Sequence, residues 1–329
     1  MALLEVRNLE VRFALRRGAL TALRGVSFSV DEGQRLGIVG ESGAGKSVAA
    51  FSILNLIGKP GYISGGEILF EGRDLTKLDA LAMRQIRGNR ISMIFQDPMM
   101  TLNPVLTIGT QLTEALHAHR DMSESEARER AIETLARVQI PSPATRFGQY
   151  PHELSGGMRQ RIVIATALLT DPLLIIADEP TTALDVTIQA EIMDLLLGLC
   201  ETNNVSLILI THDLGVVSQM TQRAIVMYAG RVVEEGPTRE LIRAARHPYT
   251  QGLIGALPQQ TTPGQRLNQI GGVMPALVSV PIGCAFHPRC PHVVETCRRE
   301  VPGYTVIYNT RVACHVVASH HRSGAGAST

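Results

Sequence analysis

The sequence predicts an α/β fold: a largely parallel core sheet with an antiparallel β subdomain, an inserted helical subdomain and a small irregular C-terminal domain. Three observations predict it. Short apolar runs at 36–39, 173–177 and 205–211 are separated by helix-length segments, the alternation of a parallel sheet with crossover helices. From Asp97 to about Gln160 the pattern turns helical, as an insertion into such a sheet would. After about His247 prolines and glycines recur (Pro248, Pro258, Pro263, Gly264, Gly271, Gly272, Pro275, Pro281), and four cysteines follow.

Taken in order, Val26-Ser27-Phe28-Ser29-Val30 alternates apolar and polar residues, as half-buried antiparallel strands do. Leu36-Gly37-Ile38-Val39 is a short strand feeding a glycine-rich loop, and a helix begins near Lys46 and runs through Ala49, Ala50, Ile53 and Leu54. Gly65-Gly66-Glu67-Ile68-Leu69-Phe70-Glu71-Gly72 suggests more β structure with a turn at Gly72. The clearest amphipathic helix covers 124–138, and further helices are expected over 159–169 and 188–200. Residues 223–228 and 231–235, joined at Ala229-Gly230, read as a hairpin, and 323–329 as a frayed tail. The expected division is 1–246, with its helical subdomain at about 97–160, and 247–329.

The apolar fraction of 45% is ample for a core, and a net charge of +1 argues against a broad nucleic-acid-binding face. No apolar run reaches the ~18–20 residues that cross a bilayer. The start, Met1-Ala2-Leu3-Leu4-Glu5-Val6-Arg7, lacks the long apolar core of a signal peptide. The expectation is therefore a soluble cytoplasmic chain whose membrane role, if any, comes through a partner.

Gly40-Glu41-Ser42-Gly43-Ala44-Gly45-Lys46-Ser47 fits the phosphate-loop pattern G-x-x-x-x-G-K-[ST] in full. Its glycines let backbone amides close around phosphates, with the following helix directing its positive end at them. Lys46 is expected to reach the β- and γ-phosphates of ATP and Ser47 to hold Mg²⁺. Leu173-Leu174-Ile175-Ile176-Ala177-Asp178-Glu179 is a buried strand ending in two acids, where an open α/β sheet places its ligand crevice. Asp178 then suits Mg²⁺, and Glu179 suits the polarisation of an attacking water.

Leu154-Ser155-Gly156-Gly157-Met158 resembles the signature of ABC ATPases, with Met158 where the commonest version has Gln. In that family the serine hydroxyl and glycine amides of one cassette contact the γ-phosphate held by another, so Ser155, Gly156 and Gly157 imply ATP shared between two cassettes. The resemblance covers about residues 3–240. It implies that Gln96 senses Mg²⁺ or water, that Asp185 communicates between the two sites, and that His212 is the switch histidine. It further implies an aromatic stacked on adenine, for which Phe13 is the candidate, a core phenylalanine being the equal alternative.

His247-Pro248-Tyr249-Thr250-Gln251-Gly252-Leu253, with Gly283-Cys284-Ala285-Phe286-His287-Pro288-Arg289-Cys290-Pro291, Cys297 and Val312-Ala313-Cys314-His315, resembles the C-terminal extension of oligopeptide, dipeptide and nickel permease ATPases. Members with this cysteine pattern can carry an iron–sulfur cluster. Four thiolates at C-x5-C-x6-C-x16-C can ligate [4Fe–4S]. Zinc, held by all four thiolates or by some of them with His287, His292 or His315, is the alternative, as are unmetallated thiols. Cys200, on an apolar helix, reads as a core residue.

The resemblance implies a peptide-import motor at the cytoplasmic face of the membrane. Its partners would be a second ATPase subunit, homologous or identical, two transmembrane permease subunits and, indirectly, an extracytoplasmic substrate-binding protein; nucleic acid is not expected. A nickel or other small-solute importer is the alternative. A soluble ABC ATPase of DNA repair or translation fits less well, because those relatives carry tandem cassettes or long insertions.

Overall fold

The computed structural model describes residues 2–16, 18–182, 184–257 and 269–325. Pro258, Pro263 and Gly264, and the end of the expected tail at 326–329, lie outside the described residues. In chain order the elements begin with β1 (Ala2–Leu15), β2 (Gly18–Asp31), β3 (Arg35–Val39), α1 (Lys46–Ile53), β4 (Gly61–Phe70) and β5 (Arg73–Asp74). Then come α2 (Ala80–Ile86), β6 (Ile91–Ile94), α3 (Pro98–Thr101), α4 (Ile108–His117), α5 (Glu124–Arg137), α6 (Pro143–Arg146) and α7 (Gly156–Leu168). These lead to β7 (Leu174–Asp178), α8 (Val186–Thr202), β8 (Ser206–Thr211), α9 (Leu214–Met220), β9 (Arg223–Tyr228) and β10 (Arg231–Pro237). The chain closes with α10 (Thr238–Arg243), α11 (Pro248–Gly255), α12 (Glu295–Arg299), β11 (Thr305–Ile307), β12 (Thr310–Val312) and α13 (His315–Ala325).

The chain divides into two compact units. One comprises Asp31–Gln34 and Lys77–Ile208; the other comprises Ala2–Val30, Arg35–Thr76 and Leu209–Thr329, so the division falls inside β8.

The first unit holds the helical insertion and the parallel pair β6–β7, registered Ile91↔Leu174 to Ile94↔Ala177. Every residue of β7 is buried. Each Leu or Ile there contributes roughly 1.5–3 kcal/mol of burial, so truncating Ile175 to Ala would cost ~2–5 kcal/mol. Helix α5 shows why the periodicity was readable: Ala127, Ala131, Thr134 and Leu135 form its buried stripe. Its start is fixed by a capping box, with Ser123 and Glu126 each bonding the other's backbone N–H.

The second unit contains a four-stranded sheet in the order β2-β1-β4-β5 and the strands β11-β12-β10-β9-β3. The alternation at 26–30 is realised as buried Val26, Phe28 and Val30 between half-buried Ser27 and Ser29. β3 runs parallel to β9, and β9–β10 form the expected antiparallel hairpin. Gly230 at its turn has φ 78°, and a Cβ there would lie 2.2 Å from the Ala22 carbonyl, so only glycine fits.

Several expectations are corrected. Helix α7 begins at Gly156, not at Arg159, because Ser155 caps it. The small domain expected beyond His247 is irregular over 269–286, but it is also tied into the sheet: β12 pairs antiparallel with β10, Glu234↔Val312 and Glu235↔Arg311, and β11 pairs with β12. Residues 323–325, expected to fray, belong to α13. No helix among the described residues is long and apolar enough to cross a membrane.

Candidate functional site

In the second unit the loop from Gly40 to Gly45 connects β3 to α1. Gly43 and Gly45 adopt φ 82° and 102°, which lets the chain turn back on itself before the helix. Gly45 is also crowded: a Cβ there would lie 2.9 Å from a Leu23 methyl. Lys46 is buried, and its ammonium donates to the Gly40 carbonyl at 2.7 Å and the Glu41 carbonyl at 3.2 Å. Ala44 is buried, Glu41 and Ser47 are half-buried, and Ser42 and Gly43 are exposed. The loop is therefore preformed, with a cation at its centre.

The loop also has partners that sequence reasoning missed. The Tyr249 hydroxyl accepts the Glu41 N–H at 2.9 Å, and Arg289 forks onto the Glu41 carboxylate at 2.7 and 3.0 Å. His212, expected near the γ-phosphate, follows β8 and is exposed. Phe13 is half-buried, its ring close against Gly61 of the paired strand β4. It is thus not a core phenylalanine.

In the first unit β7 delivers buried Asp178 and then Glu179. Glu179 sits at φ 46°, a strained conformation for a non-glycine residue that costs about 1–3 kcal/mol and is met at functional sites. Gln96 donates from Nε2 to a Glu179 carboxylate oxygen at 3.4 Å, and the Thr182 hydroxyl donates to the same oxygen at 3.0 Å. Gln96 and Glu179, 83 residues apart in sequence, are therefore brought together. Thr182 was legible only as part of the Thr182-Ala183-Leu184-Asp185 motif, and Ala183 lies outside the described residues.

Ser155 is the N-cap of α7, its hydroxyl accepting the Met158 N–H at 3.3 Å. Exposed Gly156 and half-buried Gly157 form the first turn of that helix. A Cβ on Gly157 would meet Ile188 of α8 at 3.0 Å. Asp185 caps α8 in the same way, accepting from Ile188 N–H at 3.1 Å. The start of α7, capped by a neutral hydroxyl, presents N–H groups suited to an anion, whereas the Asp185 carboxylate itself occupies the start of α8.

Residues 23–182 match the ABC transporter family model, and 233–297 match the C-terminal region of oligopeptide/dipeptide transporters. The dipeptide transport ATP-binding protein DppD of Bacillus subtilis is 51% identical over 92% of this chain and 91% of its own length. That of Haemophilus influenzae is 48% identical over 96% of both chains.

The chain belongs to the ATP-binding proteins of ABC transporters, in the oligopeptide/dipeptide branch.

The same family is seen in solved structures. An ATP-binding cassette determined as a dimer in a post-hydrolysis state bound to ADP and Pi is 31% identical and matches with a TM-score of 0.64, covering 72% of this chain and 99% of that one. Membership makes ATP with Mg²⁺ the ligand of the ABC cassette and ATP hydrolysis its reaction.

Beyond the cassette motifs lie the four late cysteines. Cys284, Cys290, Cys297 and Cys314 form no disulfides; Cys297 and Cys314 are buried and the other two half-buried. The Cys284 N–H donates to the Cys297 carbonyl at 2.8 Å. Burial pushes the Cys284 thiol up to about 11, and the nearby Cys297, Cys314 and Cys290 add to the shift. Burial likewise raises Cys290 and Cys314. Among the described residues no group of three or more His, Cys, Asp or Glu is arranged around one metal ion. His287 and His315, the zinc alternatives, are hydrogen-bonded to the Cys284 and Glu300 carbonyls at 3.0 and 2.9 Å. Cys200 is a buried core residue, as expected.

Proposed function

We propose that this cassette is the ATP-hydrolysing subunit of an importer of dipeptides or oligopeptides. The observation that carries the substrate class is the C-terminal oligopeptide/dipeptide region at 233–297, joined to relatives named for dipeptide transport along nine-tenths of the chain. In this reading Gly40–Ser47 cradles the phosphates, with Lys46 as counter-charge. Ser47, Gln96 and Asp178 serve Mg²⁺, and Phe13 flanks the adenine. Glu179 polarises the attacking water, and His212 acts at the γ-phosphate. The contacts from Gln96 and Thr182 to Glu179 support this role, since they aim a carboxylate that a reaction without covalent catalysis must hold in place.

Ser155, Gly156 and Gly157 act on the nucleotide of a second cassette, homologous or identical, and Asp185 links the two sites. The exposure of Ser155 and Gly156 at a helix start supports that reading. Two transmembrane subunits and an external substrate-binding protein complete the machine, which places the cassette peripherally at the cytoplasmic face. We assign 1–246 to the cassette, with its helical subdomain at about 97–160, and 247–329 to the extension.

In this reading Cys284, Cys290, Cys297 and Cys314 hold a [4Fe–4S] cluster, each thiolate taking one iron, with zinc as the alternative. Bound there, the cluster would crosslink chain segments around a small core.

Glu179→Gln tests the hydrolytic role. The variant should bind ATP and accumulate a cassette dimer of larger apparent size on size exclusion, with hydrolysis lowered by a hundredfold or more, on the order of losing one catalytic base. Hydrolysis at the wild-type rate would remove Glu179 from the mechanism.

A further inference from the structure

Glu41, the second residue of the phosphate loop, is an unwelcome charge beside a polyphosphate, yet it is held from three directions. Its N–H goes to the Tyr249 hydroxyl, its carbonyl to Lys46, and its carboxylate to Arg289 in a two-pronged pair. The Arg289 side chain is only 4% exposed. It donates further to the Gly271 carbonyl at 2.8 Å and the Ile270 carbonyl at 3.3 Å, and it reaches the Tyr228 hydroxyl at 3.4 Å. Tyr249 is fully buried against Tyr228 and Phe286, with ring centroids 4.7 and 5.4 Å away.

An exposed ion pair of this kind would carry little energy. A forked pair whose arginine is buried and whose carboxylate is only partly open to water is different, because losing the arginine leaves that carboxylate without its counter-charge. Arg289 itself is fixed by the 3₁₀ turn His287–Arg289, which lies between Cys284 and Cys290. The side chains that hold the loop thus come from the segment that carries the cysteines, 248 residues further along the chain in the case of Arg289.

We propose that Arg289 and Tyr249 are positioning residues for ATP, through which the C-terminal segment presets the phosphate loop and cancels the charge of Glu41. The inference rests on the reading of Gly40–Ser47 as the nucleotide site. When a nucleotide enters and Lys46 turns to its phosphates, the Glu41 carbonyl is released. Arg289 and Tyr249 then remain to keep that residue, and its charge, away from the ligand.

The test is calorimetric binding of ATP to the full-length chain. Arg289→Met should raise the Kd about tenfold or more, since it breaks hydrogen bonds to a charged group. Adding Glu41→Gln in the same chain should restore affinity to within about threefold of wild type, because the offending charge is gone. A purely structural loss would not be rescued. Tyr249→Phe deletes one hydroxyl, should keep the melting temperature within a few degrees, and should raise the Kd about threefold.

Wild-type affinity in Arg289→Met, or a double variant no better than the single one, overturns the proposal. Should Arg289→Met fail to fold, an unchanged Kd in Tyr249→Phe overturns it. Lys46→Ala separates the two levels: unchanged binding there refutes the nucleotide-site reading itself. Lost binding there, with Arg289→Met and Tyr249→Phe both unaffected, removes only the positioning role.

Discussion

His247 combines several contacts in one buried residue. Its Nδ1 accepts the Tyr249 N–H at 3.1 Å and so caps α11, while its backbone N–H donates to Glu234 at 3.1 Å. Burial lowers its pKa to about 3, so the folded protein holds it neutral. An unfolded histidine titrates near 6.5. Between about pH 6.5 and 3 the unfolded chain therefore carries the extra proton, and stability falls as pH falls through that window. The slope from this group is at most about 1.4 kcal/mol per pH unit, and it vanishes above the unfolded pKa. Burial raises the pKa of Glu234 beside it. His247→Asn, which retains a capping acceptor, should lose less stability than wild type between pH 7 and 5 in urea melts. A gap between the two proteins that does not change with pH would contradict a neutral buried ring. At this scale legibility tracks locality. Lys46 and Glu179 could be read because their chemistry dictates short spacings, whereas nothing in the neighbourhood of Arg289 names the carboxylate it faces 248 residues away.

Among the elements, α7 shows how a cap can move a boundary. Ser155-Gly156-Gly157 looks like a loop by propensity, since glycine disfavours helix interiors by ~1 kcal/mol. The serine hydroxyl nevertheless captures the Met158 N–H, and the helix starts three residues before the sequence suggests. Ser155→Ala should therefore destabilise the fold by about 1 kcal/mol, whereas Ser155→Asp should keep the cap and the stability. If the hydroxyl also meets a partner's γ-phosphate, Ser155→Asp should nonetheless abolish ATP-dependent dimerisation. Thermal melts and size exclusion with ATP read the two effects separately, and an aspartate variant that dimerises normally would leave Ser155 as a cap alone. Strands β11 and β12 were illegible for another reason. At three residues each they are too short for alternation to register, and their pairing with β10 is set by partners far away in sequence.

At the scale of the whole molecule, the proposed [4Fe–4S] centre would tie the C-terminal segment together. The four cysteines, three of them (Cys284, Cys290 and Cys314) with thiols raised by burial, lie in a segment that packs Phe286 against Tyr228 and Tyr249 and would become a crosslinked centre on metallation. Anaerobically purified protein should contain about four irons and four sulfides per chain, as a [4Fe–4S] cluster requires. Stoichiometric zinc without iron would refute the cluster, and Cys290→Ser should lower both the metal content and the melting temperature. The α/β plan, the antiparallel subdomain and the helical insertion were all legible, because each rests on periodicity within one segment. The integration of the tail was not, because proline and glycine conceal pairing that depends on distant strands.

That integration has a consequence for solubility. β10 would be an edge strand without β12, presenting a row of N–H and C=O groups to any passing chain. With β12 in place the exposed border is β11, only three residues long, and a strand that short offers little template for intermolecular pairing. A cassette cut at residue 246 would uncover β10 and should aggregate more readily than the full chain.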